Sequence, residues 1–154
     1  MKIGIIVYSH SGNTLSVAEK LKEELLKAGH SVDLEKVNAV NEDPNAVKNI
    51  QLASNPDTSS YERIIFASPV NAFSLAAVMK TYLSQLQTLE GKTIDCFVTQ
   101  QLKKAWMGGN HAIKQIQTIC SSKGGKLGKT GNVHWSSIKR EEQINDLVKS
   151  FTAL

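Results

Sequence analysis

Ser9-His10-Ser11-Gly12-Asn13-Thr14 joins the apolar run Ile3-Gly4-Ile5-Ile6-Val7-Tyr8 to a segment whose apolar residues fall at Leu15, Ala18, Leu21, Leu25 and Ala28. The run reads as a strand buried on both faces, and the three-and-four spacing after it as one face of a helix. The hexapeptide is then a turn from a strand's carboxyl end to a helix's amino end. There the first helical N–H groups lack partners and the positive end of the helix dipole points outward, so an anion fits the place. Ser9, Ser11, Asn13 and Thr14 bring hydroxyl and amide groups, no cation sits in the turn, and Gly12 permits close approach or a positive φ. One such polar residue is enough for an N-cap. Four around one glycine predict a site that holds a phosphate with N–H and O–H donors and leaves its charge largely unneutralised.

At 154 residues, 41% hydrophobic and 21% charged, the chain suits one globular domain, residues 1–154, with a real core. No apolar run approaches the roughly 20 residues that span a bilayer. The amino-terminal apolar stretch runs into the turn without a small-residue cleavage site, so it reads as a strand and not a signal peptide. Cys96 and Cys120 belong to no Cys-x-x-Cys pair, which predicts buried free thiols in a reducing cytoplasm; no metal site and no membrane insertion are expected. The net charge of +4 favours acidic proteins or anionic cofactors as partners. The lysines are scattered and no RNA-binding aromatic motif accompanies them, so nucleic acid is not expected.

Along the chain, Gly29 stands where a helix terminator belongs. Val32, Leu34 and Val37 suggest a second strand, exposed on one side or at an edge. Val47, Ile50 and Leu52 predict a short helix beginning near Pro44. Glu62-Arg63-Ile64-Ile65-Phe66-Ala67-Ser68 is a third strand ended by Pro69, followed by a helix stripe at Leu75, Val78, Met79, Tyr82, Leu83 and Leu86. A fourth strand covers residues 93–99, a fourth helix carries Ile113, Ile116, Ile119 and Cys120, and a fifth strand lies between Leu127 and Trp135. Ile144, Leu147, Val148 and Phe151 mark a last helix. Five alternations predict an α/β protein, a parallel sheet between two helix layers.

Ligands of such sheets lie beyond the carboxyl ends of the strands. Three loops meet there: residues 9–14; Pro69-Val70-Asn71-Ala72-Phe73-Ser74; and the long Thr99-Gln100-Gln101-Leu102-Lys103-Lys104-Ala105-Trp106-Met107-Gly108-Gly109. In the second, Phe73 either covers the core or lies along a flat ring whose heteroatoms meet backbone N–H groups. In the third, Trp106 is the candidate to stack on a ring, and Gly108 and Gly109 let backbone come near a ligand. His10 would add positive charge beside the anion when protonated. His134 and Trp135, at the end of the fifth strand, read as structural.

Ser-x-Ser-Gly-Asn-Thr after a first buried strand resembles the FMN-phosphate loop of the flavodoxin-like family, and the resemblance covers the whole chain. It implies a three-layer, doubly wound, five-stranded parallel sheet of order 2-1-3-4-5, of the short-chain kind, with FMN as cofactor. It implies cofactor contacts from Ser9, His10, Ser11, Gly12, Asn13 and Thr14, from Pro69, Val70, Asn71, Ala72 and Phe73, and from Thr99, Gln100, Gln101, Trp106, Gly108 and Gly109. The third loop departs from many flavodoxins, which carry a tyrosine and acidic residues where this chain has Lys103 and Lys104.

Other uses of the same architecture fail on residue chemistry. A nicotinamide-binding turn needs Gly-x-Gly-x-x-Gly, a nucleotide triphosphatase needs Gly-Lys-Ser/Thr, a receiver domain needs acidic residues after the first strand and an Asp after the third, and a cysteine phosphatase needs Cys and Arg in the first loop. None is present at these positions. An electron carrier with no catalytic residue, serving redox partner proteins with acidic surfaces, is the expected function. The alternative is an FMN-dependent NAD(P)H:quinone-type reductase, with some resemblance in Ala72-Phe73-Ser74-Leu75-Ala76 and Gly108-Gly109; a third reading, a flavin-free interaction module of the same fold, is opposed by the intact first loop. Monomer and homodimer are both compatible with the chain.

Overall fold

The computed structural model describes residues 1–41, 49–101 and 108–153. In chain order its elements are β1 (Lys2–Val7), α1 (Asn13–Lys27), β2 (Ser31–Lys36), β3 (Asn38–Ala39), β4 (Leu52–Ser54), β5 (Arg63–Asn71), β6 (Ser74–Leu75), α2 (Ala77–Gln85), β7 (Thr93–Gln100), α3 (Gly109–Ser122), β8 (Lys126–His134) and α4 (Arg140–Thr152). The parallel strands run β2-β1-β5-β7-β8 across the sheet. Counted alone, they have the expected order 2-1-3-4-5, with β2 at an edge.

The period of two along each inner strand divides the core between two helix layers. On one face Ile3, Ile5 and Val7 of β1, Ile65 and Ala67 of β5 and Phe97 of β7 meet Val17, Ala18, Leu21 and Leu25 of α1 and Ile144, Leu147, Val148 and Phe151 of α4. On the other, Ile6, Tyr8, Ile64, Phe66, Ile94, Cys96 and Val98 meet Val78, Met79, Tyr82 and Leu83 of α2 and Ala112, Ile116 and Cys120 of α3. An edge-on aromatic pair sits on each face, Phe97–Phe151 at 6.2 Å and Phe66–Tyr82 at 6.4 Å between ring centroids. Each fully buried Leu, Ile or Phe contributes about 1.5–3 kcal/mol of transfer free energy. Among the described residues no helix is long and apolar enough to cross a membrane.

Three local expectations are corrected. Pro69 does not end the third strand, which continues to Asn71 and pairs Pro69 with Thr99. Tyr8 N–H donates to the Ala67 carbonyl, so odd-numbered residues of β5 turn their peptide groups toward β1. Pro69, two residues on, faces the side where β1 has already ended, and its missing N–H costs no ladder bond. Leu75 belongs to β6, not to the helix stripe, and α2 starts at Ala77.

The short helix near Pro44 is corrected only in part, because residues 42–48, Val47 among them, lie outside the described residues. Ile50 is not helical and Leu52 opens β4, which pairs antiparallel with β3. The two-residue step from Ile50 to Leu52 is a strand period, and Ser54 Oγ fixes the pair by accepting from Asn38 N–H and donating to the Lys36 carbonyl, both at 2.8 Å.

At the amino ends of the strands, buried Arg63 donates through Nε to Asp95 and through Nη2 to the Phe151 carbonyl at 2.9 Å, while its Nη1 has no partner. The other Asp95 oxygen accepts Lys129 N–H at 2.6 Å, where the register of β7 and β8 shifts. Asp95 thus ties β5, β7 and β8 to the end of α4. Asp95→Ala should cost about 3–5 kcal/mol in urea unfolding, because it leaves a buried guanidinium uncompensated, and Arg63→Met/Asp95→Leu should recover most of that.

Burial pushes the Cys96 and Cys120 thiols up to about 12 from an ordinary 9.0, and raises the Tyr61 and Tyr82 hydroxyls above their ordinary 10.0. These groups hold their protons more firmly folded than unfolded. Their contribution is complete below the unfolded values and is lost as pH climbs toward the folded ones. The urea midpoint should therefore fall steadily above about pH 9; a flat alkaline profile would contradict the burial of these groups.

Candidate functional site

The helix α1 begins on Gly12, whose φ of +93° is the left-handed conformation that glycine adopts freely. Ser9 Oγ accepts the N–H groups of Gly12 and Leu15, both at 3.2 Å, and Ser16 N–H reaches the Gly12 carbonyl at 3.0 Å. Ser9 is therefore the brace that a helix start requires. The N–H groups of Asn13 and Thr14 are the orphans of the first turn, and no acidic side chain stands in that turn to neutralise the dipole. Thr14 is buried, and its hydroxyl shares a 2.8 Å hydrogen bond with that of Thr99, joining the first loop to the third.

The second loop is a hairpin. Asn71 pairs with Ser74, and the two residues between them, Ala72 and Phe73, have φ values of 48° and 64°. Positive φ at both central positions is the mark of a type I′ turn, which normally selects Asn-Gly. Ala and Phe hold it only under strain, and α3 supplies the restraint: Gln115 Oε1 accepts the Ser74 hydroxyl at 2.9 Å and Leu75 N–H at 2.8 Å. Phe73 is 62% exposed, so it does not cover the core.

In the third loop, residues 102–107 lie outside the described residues, and with them Lys103, Lys104 and Trp106. A Cβ on Gly108 would stand 2.6 Å from Phe73 Cα, and one on Gly109 2.0 Å from Asn132 Nδ2 and 2.1 Å from Gln100 Oε1. What these glycines admit is the hairpin's backbone and the Gln100–Asn132 amide pair, itself bonded at 2.8 Å. Trp135 N–H donates to the Gln100 carbonyl at 2.7 Å and Ser136 Oγ to that of Gln101, so a fourth loop is attached to the third.

A cleft of about 210 Å³ opens between these segments, lined by His10, Ser11, Asn13, Pro69, Val70, Asn71, Thr99, Gln100, Gln101 and Trp135. Nine of the ten are sequence-expected site residues; Ser9, Gly12, Thr14, Ala72, Phe73, Gly108 and Gly109 are not among the residues that line it. Trp135 is the one that sequence reasoning assigned to structure. Its position directly after the fifth strand's carboxyl end was the available signal. A wider depression, about 560 Å³, lies between residues 55–59 and 85–92 at the amino ends of the strands, away from where such sheets bind ligands. Among the described residues no group of three His, Cys, Asp or Glu could hold a metal ion.

No family model matches the chain, and no curated protein matches it. Solved structures do. A flavoprotein from Lactobacillus acidophilus in complex with FMN is 20% identical, with a TM-score of 0.66 over 94% of this chain and 97% of its own. A flavodoxin variant from Pseudomonas aeruginosa is 13% identical, with a TM-score of 0.70 over 99% and 97%. The Fusobacterium nucleatum flavodoxin bound to flavin mononucleotide is 15% identical, with a TM-score of 0.65 over 97% and 96%. The chain therefore has the flavodoxin-like fold.

The strain in the hairpin is measurable. Ala72→Gly should stabilise the protein by about 0.5–1 kcal/mol, the relief of a left-handed L residue less glycine's extra unfolded-state entropy, read from urea denaturation. Equal or lower stability would mean that the turn is not strained.

Proposed function

We propose that this chain is a flavodoxin-type electron carrier that binds FMN in the cleft at the carboxyl ends of β1, β5 and β7. The observation that carries the reading is the start of α1: orphan N–H groups on Asn13 and Thr14, the exposed Ser11 hydroxyl, and no acidic side chain in the first turn. That donor set fits a phosphate monoester. Beside it lie the apolar Pro69 and Val70 and the amides of Asn71, Gln100 and Gln101, which fit a flat heterocycle with polar edges. When bound, FMN supplies one- and two-electron chemistry. The chain's residues hold the phosphate, fix the ring's edge and keep the ligand at the surface.

The carrier reading is favoured over an NAD(P)H:quinone-type reductase by the chemistry of the wall. Among the described lining residues there is no carboxylate or thiol, and His10 is the one titratable group. The net charge of +4 favours partners with acidic surfaces, by steering their approach at low ionic strength.

Replacing Ser11 by Ala should weaken FMN by about 1.5–3 kcal/mol, the worth of one hydrogen bond to a charged group, and leave riboflavin, which lacks the phosphate, nearly unaffected. Equal loss for both ligands would remove the phosphate from α1. Mixing the FMN-loaded protein with NADPH in a stopped-flow instrument should give no rapid bleaching. Rapid bleaching by NADPH alone would shift the assignment to a reductase.

A further inference from the structure

Trp135 lines the cleft at the end of the sheet opposite the first loop. From β1 to β8 there are three inter-strand steps, about 14 Å at the usual spacing. A ligand that reaches from the start of α1 to Trp135 must therefore be elongated, anionic at one end and flat at the other. The backbone that carries the indole is held from several sides. His134 N–H donates to Gln143 Oε1 at 2.8 Å, Trp135 N–H to the Gln100 carbonyl at 2.7 Å, and Arg140 Nη1 to the Trp135 carbonyl at 3.0 Å. The Arg140 guanidinium lies 4.7 Å from the centroid of the indole ring, over one face. Glu141 stands 3.8 Å from Arg140 Nε and offsets part of its charge. Arg140 covers one face, and part of the remaining indole surface lines the cleft.

We propose that Trp135 is a fourth wall of the cofactor cleft, receiving the isoalloxazine end of FMN on the indole surface that lines the cleft, with Arg140 as its positioning residue. The inference rests on the FMN reading above. It adds a loop to the three that the family resemblance names. Trp135 also packs against the cluster under α1 and α4, so the test must separate a wall from a core residue. An electron-rich indole backed by a cation on one face is pre-set for an electron-poor heterocycle on the surface that lines the cleft, because no side chain needs to be ordered when the ligand arrives.

The test uses the full chain, labelled with ¹⁵N, and three probes: inorganic phosphate, riboflavin and FMN. The Trp135 indole N–H is identified by its loss in Trp135→Phe. Phosphate should move the backbone amides of Asn13 and Thr14 only, riboflavin the Trp135 indole only, and FMN both. Trp135→Leu should weaken FMN about two- to tenfold, the range for an aromatic stack. Arg140→Lys, which keeps the charge and loses the flat cover, should show part of that loss. If FMN moves Asn13 and Thr14 and leaves the Trp135 indole in place, the fourth wall is wrong and the cofactor reading stands. If FMN moves neither, both fall. If Trp135→Leu and Arg140→Lys lower the urea midpoint with unchanged FMN affinity, Trp135 is a core residue and the proposal is overturned.

Discussion

The burial of β1 on both faces governs the arrangement of everything else. Ile3, Ile5 and Val7 enter one core cluster, Ile6 and Tyr8 the other, and all five side chains are essentially without solvent contact. Between β2 and β5 the strand has neighbours on both edges as well. A strand so enclosed has no freedom in register, because a one-residue slip would exchange the two sets. The turn that follows it is therefore delivered to one place, midway across the sheet, where the chain has gone one way to β2 and the other way to β5. That is the switch point at which open sheets of this kind leave a crevice.

The two ends of the sheet are built on different rules. At the amino ends charged side chains find partners across elements: Arg63 Nε with Asp95, Lys129 with the last carbonyls of α4, Lys92 with the carbonyls of Ser59 and Tyr61. At the carboxyl ends the local rules are broken together. Two L residues hold positive φ, a helix starts without an acidic partner, two glycines let loops touch at backbone distance, and Phe73 and the fully exposed Ile138 face solvent. Such conflicts accumulate where a protein keeps its function, because stability elsewhere compensates for them.

Most of the fold was legible because its signals are periodic. The runs at residues 3–8, 62–68 and 93–99 are too apolar for anything but inner strands, and the helix faces beginning at Leu15, Val78 and Ile144 repeat cleanly. What escaped was not periodic. The hairpin of β5 and β6 has no turn signature, since Ala72-Phe73 stands where Asn-Gly is expected, and its stabiliser, Gln115, is 40 residues away from Leu75. The pairing of β3 with β4 rests on two residues against three. Within the first loop, composition marked four donors as equivalent; only the folded geometry divides them into a brace, Ser9, a tie to the third loop, Thr14, and the residues that face the cleft. Trp135 packs against the cluster under α1 and α4 as a structural residue does; that it also lines the cleft was not legible, because its stack under Arg140 depends on how α4 enters.

The outer strand β8 has a further consequence. An open sheet ends in a row of unpaired backbone groups, which is a template for another chain's strand. Here that row is spoiled in several ways. The ladder shifts register beside Asp95, and Gly128 and Gly131 give an incoming strand no side chains to pack against. Lys126 would bring its charge to any such contact. The carboxylate that locks the interior also roughens the rim, so one buried acid both closes the fold and discourages its edge-to-edge growth into aggregates.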